Sequence, residues 1–328
     1  SNFVLITIPL FTFAGYLLGE SNAPKRLVKL SRAFFGWMPG GLAIMSVIIC
    51  SLFTAFTGAS GVTIVALGAL LFPALVQDRY SENFSLGLVT TGGSLGLLFA
   101  PSVPLIIYGV ITETPIFDMF IAGALPGVLM VIILCTFIVI IATRAKTERS
   151  PLRWKAMGEA LWEAKWEGPL PFVVLGGIYG GIFAVSEAAA VTAFWALIVE
   201  VLIYKEISLT QLKQVIRESM VMVGGILIIM AAAMASTNYF IDIDVPSMIF
   251  DFIQGFVSTK IMFLILLNLF LFGLGMVLDI FSALVVVVPL ITPIAQEYGI
   301  NTIHLGIIFL ANMQIGYLTP PLGMGLFI

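Results

Sequence analysis

Charge is what this chain has least of. Only 10% of its 328 residues are charged, while 60% are hydrophobic; an average soluble domain has about 25% and about 45–50%. A water-soluble core has no use for that much apolar surface, so a soluble globular fold is excluded. Histidine is nearly absent too: His304 stands alone and no HExxH string occurs, which argues against His-rich metal chemistry. Cys50 and Cys135 each lie inside an apolar run, far apart in sequence, and read as small buried hydrophobes. A net charge of −3 with no basic tract speaks against nucleic acid as a partner. No signal-peptide pattern is found, since Ser1-Asn2 leads straight into apolar sequence. The other end, Leu326-Phe327-Ile328, stops within an apolar run, so the expectation is a piece of a longer membrane protein.

What is present is a series of uncharged runs. Residues 121–142 carry no charge over 22 positions, enough to cross a hydrocarbon core of about 30 Å at about 1.5 Å per residue. Segment 3–19 reads as a first membrane helix, followed by a basic amphipathic stretch with Lys25, Arg26, Lys29 and Arg32. From there to Asp78 no charge appears, but Pro39-Gly40-Gly41 and Thr57-Gly58-Ala59-Ser60-Gly61 interrupt the run. The helical pieces left, 42–56 and 62–76, would each be about 22 Å long, too short to span. Meeting at a Gly/Ser/Thr turn, they read as a re-entrant hairpin. Residues 84–111 are long enough, yet Ala100-Pro101-Ser102-Val103-Pro104 falls inside them and predicts a helix broken partway through. A further span is expected at 116–143.

The stretch 144–167 holds six basic residues and four Glu together with Trp154, Trp162 and Trp166. It reads as an interfacial, cytoplasmic arm. Lys205, Lys213 and Arg217 form a second basic loop, and if both loops are cytoplasmic the intervening 168–204 must go in and come back. After a span at 220–240, short pieces 261–278 and 280–296 meet at Asp279, and 303–318 is broken at Thr319-Pro320-Pro321. A shift of 219 positions carries Gly87 onto Gly306, Pro101 onto Pro320 and Ser60 onto Asp279. The expected fold is therefore all-α and polytopic, with two repeats that each hold a re-entrant hairpin and a Pro-broken helix. The first repeat covers 1–143 (hairpin about 42–76), and 144–219 the arm and connecting membrane segments. The second repeat covers 220–328 (hairpin about 261–296, broken helix from 303).

Hairpin tips and broken helices leave backbone N–H and C=O groups unpaired at membrane depth, where only protein or a watery cavity satisfies them. Repeated, that pattern is the one expected of a secondary transporter with its site near the midplane. All Lys and Arg fall outside the uncharged runs, so no deeply buried base is evident to neutralise an anionic solute. Helix N-termini, hydroxyls and co-transported cations would have to do so, which favours sodium coupling. Two acids stand out within the membrane segments: Asp279, either a helix cap or part of a cation site, and Glu187, either a cap or a functional carboxylate.

FTAFTGASGVTIVALG (53–68), APSVP followed by LIIYG (100–109), GIFAVSEAAAV (181–191), GLGMVLD (273–279) and NMQIGYLTPPLGMGLF (312–327) resemble, in order and over essentially the whole chain, the large membrane subunit of TRAP transporters. These are the tripartite ATP-independent periplasmic carriers of the ion-transporter superfamily. The resemblance implies an elevator-type, sodium-coupled importer of a small organic acid anion in the bacterial inner membrane. No cofactor other than the coupling sodium ions is implied. Its partners would be a small membrane subunit, a periplasmic substrate-binding protein and the lipid bilayer. It further implies sodium ligands at Thr57, Gly58, Ser60 and Gly61 on the first tip and at Pro101 and Ser102 in the first break. Asp279 would follow on the second tip, and Gly316, Thr319 and Pro320 in the second break. Pro104, Pro321 and Glu187 would serve substrate or coupling. The chain departs from the family at Ala100, where Pro is usual, at Ala184-Val185-Ser186, where Thr-Pro-Thr is usual, and at Ile280, where Gly is common.

The alternative is a sodium-coupled carboxylate carrier that works without a binding protein; a channel would use similar loops. An intramembrane aspartyl protease needs paired Asp and a GxGD string, GxSxG is absent, and GLGMVL lacks the third Gly of a dinucleotide fingerprint, so no enzyme is expected. GYLLG (15–19) reads as a helix-packing motif. Across the first cation site, Ser60 and Ser102 are expected to face each other, with Thr57 and Gly58 lending carbonyls.

Overall fold

The computed structural model describes residues 5–58, 60–145, 154–320 and 323, and among these no strand occurs. In chain order the helices are α1 (Thr7–Glu20), α2 (Ala23–Phe35), α3 (Gly41–Thr57), α4 (Ser60–Gln77), α5 (Glu82–Leu95), α6 (Val103–Ile111), α7 (Ile116–Ala145), α8 (Trp154–Glu163), α9 (Pro169–Tyr179), α10 (Val185–Leu197), α11 (Leu209–Asp242), α12 (Val245–Gln254), α13 (Lys260–Gly275), α14 (Ile280–Glu297) and α15 (Thr302–Gly316). Six stretches among the described residues are long and apolar enough to cross a membrane: α4, α5 with α6, α7, α10 with its π-helical extension, α11 and α14. The all-α membrane fold expected from composition is the one observed.

The helices begin and end where local chemistry directs. Ser81, Thr259 and Asn301 cap α5, α13 and α15 by accepting from backbone N–H groups of Phe84, Met262 and Ile303, satisfying donors that a helix start leaves orphaned. Gly58 ends α3 in the left-handed region at φ +67, where glycine carries no Cβ penalty. The break in the α5–α6 segment falls at Phe99–Ser102, between a 3-10 turn at Gly96–Leu98 and the start of α6. Its window is 83% buried while that of α7 is 11% buried, so the broken helix lies inside and α7 faces outward.

Several expectations needed correction. The span placed at 220–240 is the longer α11, which starts at Leu209, and α12 follows it where no helix was expected. The first membrane helix, placed at 3–19, is α1 at Thr7–Glu20, residues 1–4 lying outside the described residues, as do 146–153 of the arm. The two ends of the segment 168–204 come together: Trp195 donates to the carbonyl of Trp166 at 2.9 Å, and Glu167 and Glu200 meet at one arginine. That arginine, Arg26, is half-buried and pairs with Glu167, Glu200 and Glu206, the Glu200 contact at 3.3 Å, while its guanidinium lies 4.0 Å from the centre of the Tyr204 ring. Held by these carboxylates, it offers no free charge to a solute.

Close helix contacts set the packing around the hairpins. A Cβ on Gly15 would fall 2.4 Å from the Thr57 Cα, and one on Gly96 2.3 Å from the Ser51 carbonyl oxygen; GYLLG thus seats α1 against the first hairpin. The α3–α5 packing recurs as α13 on α15, and α14 packs on α6 while α15 packs on α7. Tyr108 of α6 donates to the Thr302 carbonyl at 2.7 Å, and its ring faces Gly306 of α15.

Candidate functional site

Thr57, at the end of α3, is fully buried, and its hydroxyl lies 3.2 Å from that of Thr63 on α4. Thr63 in turn is 2.7 Å from Thr54 Oγ1, which also reaches the Gly93 carbonyl of α5 at 2.7 Å. This ladder of hydroxyls ties the two arms of the hairpin together just below the tip. The sequence reading missed Thr54 and Thr63; two threonines inside otherwise apolar arms were the available signal.

The tip itself sits against the first break. A Cβ on Gly58 would fall 2.4 Å from Val103 Cγ2, so only glycine lets the turn approach the start of α6 this closely. Pro101, Ser102 and Pro104 are all buried there, and the Ala100–Pro101 peptide is cis. The structure thus brings Gly58 at the tip against Val103 in the first break. Ser102, however, donates to the Leu97 carbonyl, while Ser60, buried at the start of α4, lies close to the Tyr317 side chain. Gly61 faces away, half-buried, on a cavity of about 430 Å³ that Tyr16, Glu20 and Glu218 also line.

On the second hairpin Asp279 caps α14. Its Oδ2 accepts from the N–H groups of Phe281 and Ser282, at 3.0 Å each. Among the described residues both bonds use one oxygen and Oδ1 has no partner, so capping and ligation are compatible for this residue. It lies within electrostatic reach of Tyr317, the side chain that Ser60 also approaches, so the start of the second break stands near both tips. Gly316 meets Gly275 backbone to backbone, a Cβ there falling 2.7 Å from the Gly275 Cα. Thr319 turns back, its N–H donating to Gly316 O at 2.9 Å and its hydroxyl to Ile315 O at 2.8 Å. Pro320 is exposed, and Pro321 lies outside the described residues.

Glu187 stands apart from this assembly. It is exposed, and its carboxylate accepts from Ala184 N–H at 2.8 Å, capping its own helix. The assembled residues offer oxygen ligands, the negative carbonyl end of α3 and one carboxylate, with no Lys or Arg among them. Hard cations prefer such oxygen donors. No group of three His, Cys, Asp or Glu suited to a metal ion occurs among the described residues, so any cation held here would rest mainly on carbonyls and hydroxyls.

The sequence model of a family described as "Tripartite ATP-independent periplasmic transporter, DctM component" matches residues 1–328. The "C4-dicarboxylate TRAP transporter large permease protein DctM" of Pseudomonas aeruginosa is 34% identical over 100% of this chain and 77% of its own length. The "Isethionate TRAP transporter permease protein DctMQ" of Oleidesulfovibrio alaskensis is 32% identical over 100% of this chain, which spans 52% of that protein. The "Ectoine/5-hydroxyectoine TRAP transporter large permease protein UehC" of Ruegeria pomeroyi is 30% identical over 98% of this chain and 76% of its own length. The chain thus spans about half the length of one of these relatives and about three quarters of the other two.

Proposed function

Because the chain belongs to the DctM family of TRAP transporter large permeases, multi-pass transport proteins of the bacterial inner membrane and not enzymes, we propose that it forms the translocation path of a sodium-coupled importer of a small organic acid. The acid arrives on a periplasmic binding protein, and a small membrane subunit completes the carrier. The carrying observation is the close packing of the first tip on the first break at Gly58 and Val103, and of the second hairpin, whose tip Asp279 caps, on the second break at Gly275 and Gly316. An oxygen-lined place with one carboxylate and no base suits a cation first and an anion only beside it, which is the physical content of coupling. Two cation sites follow, one at Thr57, Gly58, Ser60, Pro101 and Ser102 and one at Asp279, Gly316, Thr319 and Pro320. The movement is of the elevator type, the hairpins and breaks travelling together because glycine contacts pack them backbone to backbone.

The test is uptake into vesicles holding the complete protein with its partners. Accumulation should require an inward sodium gradient; undiminished substrate-dependent uptake with potassium on both sides would overturn the coupling. Removal of the binding protein should abolish uptake, and transport that persists without it would favour the carrier that works alone.

A further inference from the structure

Gln314 is 2% exposed, and among the described residues neither its amide nitrogen nor its amide oxygen has a hydrogen-bond partner. Leaving a carboxamide buried and unpaired is destabilising, and such a group calls for a specific explanation. Thr12 Oγ1 and Glu200 Oε1, likewise buried and without a partner among the described residues, lie on α1 and beside Arg26. Gln314 alone of these sits on α15, in the turn before the second break.

Its direction follows from helical register. Gly316, which marks the face of α15 against α13, is two residues on and so about 160° away around the helix. Gly306, which meets Tyr108 and Met119, is only about 80° away, and Tyr317, close to Ser60, about 60°. Gln314 therefore lies on the face that α15 turns toward the first half of the molecule, one turn before Tyr317. Its neighbour Asn312 makes a contrast: the Asn312 amide donates to Asn268 at 2.7 Å and to Ile308 O at 2.8 Å.

Donors are what an acid anion needs at this place, and the others are committed. Ser102 donates to Leu97, and the Thr57 hydroxyl belongs to the ladder with Thr63. Asp279 would repel an anion. We propose that the carboxamide of Gln314 is a substrate-binding group, whose two N–H donors hold a carboxylate or other anionic oxygen of the transported acid between the two tips. This rests on the reading of the chain as an organic-acid carrier, and it supplies the neutral donor pair that a site without a base requires. A hydrogen bond to a charged group is among the stronger ones.

The test uses the complete transporter in vesicles with its binding protein, the acid it carries as the probe, and Gln314→Met and Gln314→Glu. Met keeps the length and removes donors and acceptor; Glu keeps the shape, removes the donors and adds charge. For Q314M the expected result is a half-saturating acid concentration raised about tenfold or more, a half-saturating sodium concentration within about twofold of the parent, and a melting temperature unchanged or higher, since an unpaired amide has been removed. For Q314E uptake should fall further still. Parent-like acid affinity in both variants would overturn the inference. So would a tenfold shift in sodium dependence with acid affinity intact, which would make the amide a cation ligand, or a lower melting temperature in Q314M, which would make it a structural group. Acid affinity is compared at saturating cation, so a parent indifferent to sodium defeats the coupling above while leaving this comparison standing.

Discussion

In the first hairpin nearly every residue of α3 is buried, and hydroxyls of Thr54, Thr57 and Thr63 lace the arms below the tip. In the second, α13 buries only Phe263, Leu267, Leu271 and Gly275, and the tip is held by a carboxylate on two backbone N–H groups. The bases differ as well. Helix α2, packed on α3, carries Arg26 into a cluster of three glutamates, whereas Lys260 at the base of the second hairpin donates to the single carbonyl of Gly299 at 2.7 Å. The lesson is that similar helical outlines are held by different chemistry: one hairpin by neutral hydrogen bonds within a packed interior, the other by a charge at its tip.

The bases should separate most. Arg26→Met leaves three glutamates without their cation and should destabilise by about 3–5 kcal/mol, read as the midpoint of denaturant or thermal unfolding in detergent; Lys260→Met should change little. Acid sharpens the same contrast. Burial alone would raise the Glu206 carboxyl, but Arg26 and the Asn22 N–H hold it below the ordinary carboxylate range. The stability it contributes is therefore present at neutral pH and lost as pH falls through the depressed value. That acid-sensitive portion should shrink in Arg26→Met, leaving the part held by the Asn22 N–H. A parent whose unfolding midpoint stays flat across this acidic range would contradict it.

Asp279→Asn tests the tips. Asn caps a helix about as well as Asp, so folding should survive, while uptake at limiting sodium should drop about tenfold, roughly 1.4 kcal/mol. Transport equal to the parent's at limiting sodium would reduce Asp279 to a cap.

The arms give the smallest differences. Thr63→Val should cost about 1 kcal/mol by removing a rung of the ladder. Its counterpart under the 219-residue shift, Ser282, has a half-buried side chain that bonds to none of the described residues, and Ser282→Ala should stay within about 0.5 kcal/mol. Equal unfolding midpoints for the two variants would erase the distinction between the hairpins.

Gly and Pro made the outline legible. Gly58, Pro101 and Asp279 each end or start a helix for reasons that lie within a few residues of themselves, so the arms, the first break and the second tip could be read directly. The cross-contacts could not. Whether Thr54 meets Thr63 depends on how two arms line up after the turn, and Ser60 finds Tyr317 only once the two halves are docked. Glu200 was hidden in the apolar run 198–203, its partner Arg26 lying 174 residues away. Helix α12 escaped notice because Asp242, Asp244 and Pro246 look like a loop; the helix begins after Asp244, which adopts φ +56, and Pro246 fits its first turn.

Gly275 and Gly316 touch main chain to main chain, with no side chain between them to compress or swing aside. A joint of that kind has no slack. Tilting the end of α13 by even a small amount must drag the Thr319-Pro320 turn with it, so the second hairpin and the second break behave as one rigid lever, and a methyl group at Gly316 would act as a wedge that holds the lever at a fixed angle.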